Sequence, residues 1–286
     1  MTIAITLKVH EGVVLASDSA STLSAQENGQ TIVVNVYDNA NKIVNLHKGL
    51  PLGILAWGGG SIGPVSLTTI FKDLRCMFAG ATKGPGDEDW TLNPDNYSVE
   101  DVATKVRKYI FEELYTNEYG GWPDPPGIGM VVAGFSSDGQ HAEEYQISME
   151  GTVSPDPHLL RPGAECGMTV GGQQDTIMRM VMGIDSRLGA VLQQHLGVPA
   201  NQVAQAVGIL QQNLQLPVIQ DAMPFQDALD LGEFLVDATI KMTRFLPGAP
   251  TVGGPIEVAG ITKHEGFKWV RRKHYYPASL NPKEQQ

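Results

Sequence analysis

Apolar and polar residues alternate from Ile3 to Val9, through Thr6 and Lys8, and this pattern predicts a strand with one face buried. His10, Glu11 and Gly12 make a turn, and Val13 to Ser17 returns as a second strand, so the chain opens on a hairpin. A polar stretch over 21–30 leads into a strand from Thr31 to Val36. After a turn at Asn39 to Asn41, Lys42 to Leu46 and Leu52 to Trp57 read as two further strands. The connections are too short for crossover helices, so the pairing is antiparallel.

Helical spacing begins beyond Gly58, Gly59 and Gly60. Leu67, Ile70, Phe71, Leu74, Met77 and Phe78 fall on one face of a helix. A loop rich in Gly, Pro and Asp spans 80–97. Ser98 and Asp101 then form a capping box at the head of a second amphipathic helix, which carries Val99, Ala103, Val106, Ile110 and Leu114. Three prolines between Gly120 and Gly127 break the chain. Strands resume from Gly129 to Phe135, turn at Ser137, Asp138 and Gly139, and run back over Glu144 to Ser148. A third helix is expected on Ile177, Met180, Val181, Ile184, Leu188 and Val191, and a short extra one on Val203, Val207, Leu210 and Leu214. A fourth opens at Pro224, with an apolar face running from Phe225 to Thr239. Ile256 to Thr262 and Phe267 to Arg271 close the sequence as strands. This segregated order predicts an α+β fold with antiparallel sheets. A four-layer αββα sandwich, two antiparallel sheets covered by helices, buries all four amphipathic helix faces.

The 286 residues suffice for one large core, so a single domain over 1–275 with a C-terminal tail over 276–286 is expected. An apolar fraction of 42% and a charged fraction of 18% are those of an ordinary globular protein. A net charge of −11 argues against a nucleic-acid partner, since phosphate binding depends on clustered Lys and Arg. The short basic run of Lys268, Arg271, Arg272, Lys273 and His274 reads as a solvated strand end. Cys76 and Cys166 are expected to be reduced and buried as small hydrophobes. The seven histidines lack ligand spacing, so neither metal nor cofactor is expected. No run of eighteen apolar residues and no charged, then apolar, leader is present, which predicts a cytoplasmic protein without a membrane partner.

Thr2 follows Met1, and trimming of methionine is efficient before a small residue. A threonine hydroxyl needs a base at hand, and a free α-amine of reference pKa about 7.7–8.0 on the same residue can supply one. Thr2 to Ile5, followed by Glu11 to Ser19, resembles the first hairpin of proteasome β-subunits and bacterial proteasome-like peptidases, which are N-terminal-nucleophile hydrolases. The resemblance implies that Thr2 is the nucleophile and that Asp18 closes the hairpin beneath it. Asn41 to Leu46 looks like the strand whose lysine points at the nucleophile, which is Lys42 here. Leu52 to Gly58 looks like the next strand, ending in the glycine whose N–H forms an oxyanion hole, which is Gly58 here. Val132 to Phe135, the helix from Asp227 to Thr239 and Gly253 to Val258 also match. Extra segments fall near 20–36, 80–97 and 195–222. Physically, a buried Lys42 keeps its charge if Asp18 pairs with it, and that charge lowers the α-amine pKa and stabilises an alkoxide. Each residue also has a plainer explanation: Lys42 as a surface lysine, Asp18 as a turn former, Gly58 as a steric necessity.

Two positions depart from the resemblance. Lys241 and Met242 stand where an Arg-Asp pair is expected, and Gly172 stands where a serine is expected between glycines. Thr169, Asp175, Thr243 and Thr251 are the candidate substitutes. The implied activity is a threonine peptidase acting on peptides or unfolded proteins through an acyl-enzyme on Thr2. The implied assembly is a homo-oligomeric ring or stack, with an ATPase partner left unspecified. Tyr109 and Phe111, left over on the second helix, offer contacts for it. Three other readings stand beside this one. The chain is a ring or scaffold subunit without turnover; or it passes the acyl group to a small acceptor; or Ser61, in a G-x-S-x-G pattern with His195 or His264, is a serine nucleophile.

Overall fold

The computed structural model describes residues 2–27 and 30–274. The tail expected at 276–286, like Met1, lies outside the described residues. Strands β1 (Ile3–Val9) and β2 (Gly12–Ser17) form the opening hairpin, registered from Ala4 opposite Ser17 to Val9 opposite Gly12. Contrary to the half-buried strand expected from the alternation, both faces of β1 are covered, and Thr6 and Lys8 are as buried as their neighbours. The reason is that β1 is an inner strand of a sheet packed on both sides.

Five more strands follow: β3 (Ser21–Glu27), β4 (Gln30–Tyr37), β5 (Ile43–Asn45), β6 (Leu52–Gly58) and the two-residue β7 (Ser61–Ile62). β8 (Val65–Ser66) pairs with β7 as a small ribbon. The middle of the chain adds β9 (Ile128–Gly134), β10 (Glu143–Met149), β11 (His158–Leu159) and β12 (Gly167–Gly172). β13 (Glu257–Thr262) and β14 (Gly266–Arg271) close it. One sheet has the order β12-β1-β2-β13-β14 and the other β11-β10-β9-β6-β5, with every neighbouring pair antiparallel.

Three apolar clusters hold these elements together. Ile54, Val132 and Ile147 of the second sheet meet Phe71 and Leu74 of α1 (Leu67–Phe78) and Val102 and Val106 of α2 (Val99–Arg107). Ile3, Ile5, Leu7 and Val14 of the first sheet meet Leu235 and Val236 of α7 (Phe225–Phe245) and Ile177 of α4 (Asp175–Met180). Ala4, Leu15, Leu55, Val131, Ala133 and Ile261 join the two sheets directly. Fully burying one Leu, Ile or Phe contributes about 1.5–3 kcal/mol, so each cluster holds its layer firmly.

The helix starts follow capping chemistry. The Ser98 hydroxyl accepts from Asp101 N at 3.0 Å, as the capping box predicts, and the Ser66 hydroxyl caps α1 by accepting from Thr69 N at 3.2 Å. Beyond α2 the backbone widens to a π-helix over Lys108–Tyr115, continued by α3 (Thr116–Tyr119). The wider turn moves the core position from the expected Leu114 to Tyr115, five residues after Ile110. Tyr109 and Phe111, expected to be free for assembly, instead pack against the same core.

Other expectations are corrected. The third helix is two, α4 and α5 (Leu188–Leu196), because Gly183 takes φ +68° between them, where a Cβ would stand 2.6 Å from Leu214. Val181 and Ile184 are buried all the same. The extra helix is α6 (Ala200–Leu214), which buries no residue fully. The polar stretch over 21–30 contributes a strand, since β3 and β4 pair with each other alone and need no apolar face. Cys76 lies exposed on α1 and Cys166 is half-buried, so neither serves as a core hydrophobe. Among the described residues, no helix is long and apolar enough to cross a membrane.

Trp57 couples the sheets. Its indole lies over Gly129 of its own sheet and Gly171 of the other, where a Cβ would come within 2.3 Å of the ring in each case. Gly171→Ala therefore overpacks a rigid contact and is expected to cost about 1–3 kcal/mol, read as a lower urea midpoint with unchanged m-value; wild-type stability in this variant would show that the sheets part freely there.

Candidate active site

The β1–β2 hairpin brings Thr2 beside Asp18, because the residues just before β1 and just after β2 lie side by side at its open end. Asp18 is fully buried and accepts four hydrogen bonds. Ile3 N reaches Oδ1 at 3.0 Å, and Ala20 N and Gly253 N reach Oδ2 at 3.1 and 3.0 Å. The fourth donor is Lys42 Nζ, 2.5 Å from Oδ1. Lys42 immediately precedes β5, where its carbonyl accepts from Ala56 N of β6 at 3.0 Å, so the backbone holding the ammonium is itself fixed. Burial lowers the Lys42 pKa from its ordinary 10.5, Asp18 counteracts this, and the neighbouring Lys273 lowers it again.

Gly58 ends β6 with φ +86°, and a Cβ there would meet the Gly127 carbonyl oxygen at 2.3 Å. Glycine is required at this position on both counts. Thr2, Lys42 and Gly58 all line one cavity of about 430 Å³, with Asp18 beneath Lys42. The rest of its wall comes from the end of β6 with the two glycines after it, the base of the β3–β4 ribbon and the start of α1. The structure thus brings together all four residues singled out in the sequence.

Gly172 presses on the same end of β1. With φ +81°, its missing Cβ would stand 1.9 Å from the Thr2 carbonyl oxygen, which accepts from Gln173 N at 2.6 Å. A serine side chain has no room there. Met242 lies away from Thr2, half-exposed in a separate cavity with Asp175, Arg179 and Arg187. Of the four candidate substitutes, Asp175 shares that other cavity, the Thr169 hydroxyl accepts from Arg161, and Thr243 bonds the Thr239 carbonyl within its own helix. Thr251 is buried two residues before Gly253, whose N–H holds Asp18.

Ser61 sits on β7, ahead of β8 and of α1, rather than at a strand-to-helix elbow of a parallel sheet. His195 and His264 are exposed elsewhere, His264 in the β13–β14 turn. The geometry that a serine nucleophile needs is not assembled around it.

A second buried ion pair escaped the sequence reading. Lys273 lies 2.8 Å from Glu257 Oε2 and donates to Ser19 Oγ at 2.8 Å and the Ala40 carbonyl at 2.7 Å. The end of the basic run is therefore tied into the structure, not solvated. Glu257 is buried, Ser19 adjoins Asp18, and Ala40 adjoins the turn to Lys42, so this pair braces the catalytic candidates from behind. Only the alternation of β13, which points Glu257 away from the α7 face that Ile256 and Val258 share, hinted at it.

No family model and no curated protein matches the sequence. Among solved structures, a Gly-1 mutant of Anbu from Hyphomicrobium sp. strain MC1 matches with a TM-score of 0.54. The match covers 96% of this chain and 86% of that one at 12% identity. Anbu is a bacterial proteasome-like protein of the N-terminal-nucleophile type. The fold is proteasome-like. The likeness lies in the order and packing of elements, since identity at this level carries no residue roles.

Removing the Asp18 carboxylate leaves a buried ammonium and three backbone donors uncompensated. Asp18→Ala is expected to cost about 3–5 kcal/mol, and Lys42→Met in the same chain should return part of that cost. Urea unfolding of the two single variants and the double variant measures the coupling; strictly additive losses would mean that the pair is not electrostatically joined.

Proposed function

We propose that the chain is a threonine peptidase, acting on peptide amide bonds once removal of Met1 exposes the Thr2 amine. The observation that carries this reading is the convergence of Thr2, Lys42 and Gly58 on one cavity, with Asp18 buried beneath as the counter-ion of Lys42. The proteasome-like fold supports it. The three apolar clusters support a four-layer αββα arrangement within a single domain over 1–275.

In this mechanism the Thr2 hydroxyl attacks the substrate carbonyl carbon, and its proton passes to the Thr2 α-amine directly or through one water. The resulting oxyanion takes a hydrogen bond from Gly58 N–H. The C–N bond then breaks, the proton moves from the α-amine to the departing amine, and an ester remains on Thr2 Oγ. Water hydrolyses that ester by the same proton path. Lys42, held ionised by Asp18, lowers the proton affinity of the amine and stabilises the alkoxide. No cofactor takes part. Either a small amine accepting the acyl group or a chain that assembles without turnover uses the same scaffold.

A homo-oligomer is part of the proposal. Phe234 and Phe245 stand along the outer side of α7 and are each more than half-exposed, an apolar stripe suited to packing against another copy. Native mass spectrometry is expected to show an assembly that Phe234→Asp with Phe245→Asp dissociates; a wild-type monomer at micromolar concentration sinks this part alone.

Thr2→Ala is expected to abolish turnover and labelling by threonine-reactive electrophiles while the far-UV spectrum stays unchanged. An uncleavable N-terminal extension should do the same by turning the amine into an amide, and cleaving it to expose Thr2 should restore activity. Full activity with the extension in place rules out the amine as base. Because burial and then Lys273 depress the Lys42 pKa, the alkaline limb of kcat/KM set by loss of that charge should fall below pH 10.5. Lys273→Met removes the repulsion and leaves Glu257, which favours the charged Lys42, so the limb should move upward. An unmoved limb in that variant would detach Lys42 from the profile.

A further inference from the structure

We propose that the substrate residue preceding the cleaved bond carries a carboxylate, and that Lys72 is the residue that selects it. The inference rests on the peptidase reading and adds the substrate class. Beyond Thr2, the cavity runs along the start of α1, over Thr68, Thr69 and Phe71 to Lys72. Among the described residues its charged lining consists of Lys42 and Lys72, with no Asp or Glu. That is the reverse of the whole chain, in which 31 acidic residues outnumber 20 basic ones.

The two lysines are not equivalent. Lys42 is committed to Asp18 at 2.5 Å and sits at the reacting end. Lys72 makes no ion pair among the described residues and is exposed to the cavity mouth, four residues after Thr68 on the same side of α1. The first turn of α1 bears no carboxylate to meet it, whereas that of α2 bears Glu100 and Asp101. The wall around Lys72 is polar and held in place: Thr68 Oγ1 donates to the Asn41 carbonyl at 2.8 Å, and Thr69 Oγ1 shares a 3.1 Å bond with the capping Ser66. Phe71 is fully buried and closes the floor.

Each class of substrate side chain meets this wall differently. A lysine or arginine side chain brings a third positive charge beside two ammoniums. An apolar side chain leaves Lys72 in water and gains no polar contact from it or from Thr68 and Thr69. An Asp or Glu side chain gives Lys72 a charge-assisted hydrogen bond and an opposite charge. The cavity therefore favours acidic residues and rejects basic ones most strongly.

The test uses peptide amides identical except for Glu, Leu or Lys before a chromogenic leaving group, with threonine-reactive electrophiles bearing the same three side chains. The expected result is a kcat/KM for Glu about fivefold above Leu and further above Lys, the first equivalent to about 1 kcal/mol of transition-state binding. Labelling rates of Thr2 should follow the same order. Lys72→Glu should invert the order of Glu and Lys, and Lys72→Met should flatten it. If Thr2 is labelled but Leu or Lys is preferred, or the order survives Lys72→Glu, the acidic preference is overturned and the peptidase stands. If no electrophile labels Thr2 and no peptide is cleaved, the peptidase reading fails first and the preference goes with it.

Discussion

The carboxylate of Asp18 is the acceptor on which the rest of the site depends. Four donors from four stretches of chain end on two oxygens: Ile3 at the start of β1, Ala20 just past β2, Gly253 ahead of β13 and Lys42 ahead of β5. A fully buried carboxylate is costly unless each lone pair is used, and here nearly every one is. The consequence is geometric as much as energetic. The chain at Thr2 cannot shift without breaking the Ile3 bond, and Lys42 cannot leave without stranding a buried charge. Both sheets are thereby pinned at the same edge of the cavity.

The layer that joins the sheets is divided in its chemistry. Leu15, Leu55, Val131 and Ile261 make one part dry, whereas Lys8, Glu144 and Arg161 fill another. Arg161 reaches Glu144 at 2.8 Å, and Lys8 donates to the carbonyls of Arg161 and Gly163, so its charge is held although burial lowers its pKa. Glu257 with Lys273 and Asp18 with Lys42 form the remaining pairs. Buried ion pairs of this kind add little net stability, but removing one member of a pair is expensive. They fix which side chains face one another across the sheets, while the apolar clusters supply the driving force for packing.

Much of this was legible in the sequence, and the rest was hidden for physical reasons. Ser98 announced its helix because capping is local, and Leu67 to Phe78 announced theirs because a 3.6-residue period needs only one covered face. β12 left no such trace: Gly167, Gly171 and Gly172 give no apolar alternation, since the strand offers flat backbone to Trp57 and to Thr2 in place of side chains. The shift from Leu114 to Tyr115 depends on one widened turn, which no residue type specifies. Thr2, Asp18, Lys42 and Gly58 could be picked out through the matching hairpin and strands, and the structure brings them together. Glu257 and Lys273 were far less legible, because one reads as a strand residue and the other as part of a solvated basic run until 2.8 Å separates them.

The glycine at 172 shows how a departure from the resembled pattern can follow from packing. Residue 172 lies opposite Ile3 in the β1–β12 register, and the chain must turn there with positive φ so that Gln173 N can reach the Thr2 carbonyl at 2.6 Å. Any Cβ at that point occupies the carbonyl oxygen itself. The backbone hydrogen bond thus excludes a hydroxyl-bearing side chain from the position, and Thr2 is held by main chain instead. A residue held on both sides of its peptide unit, by Gln173 N on its carbonyl and Asp18 on the next amide, needs fewer side-chain partners to fix its place. Beyond that backbone, the charges nearest this end of β1 are Lys42 with Asp18 and, behind them, Lys273 with Glu257.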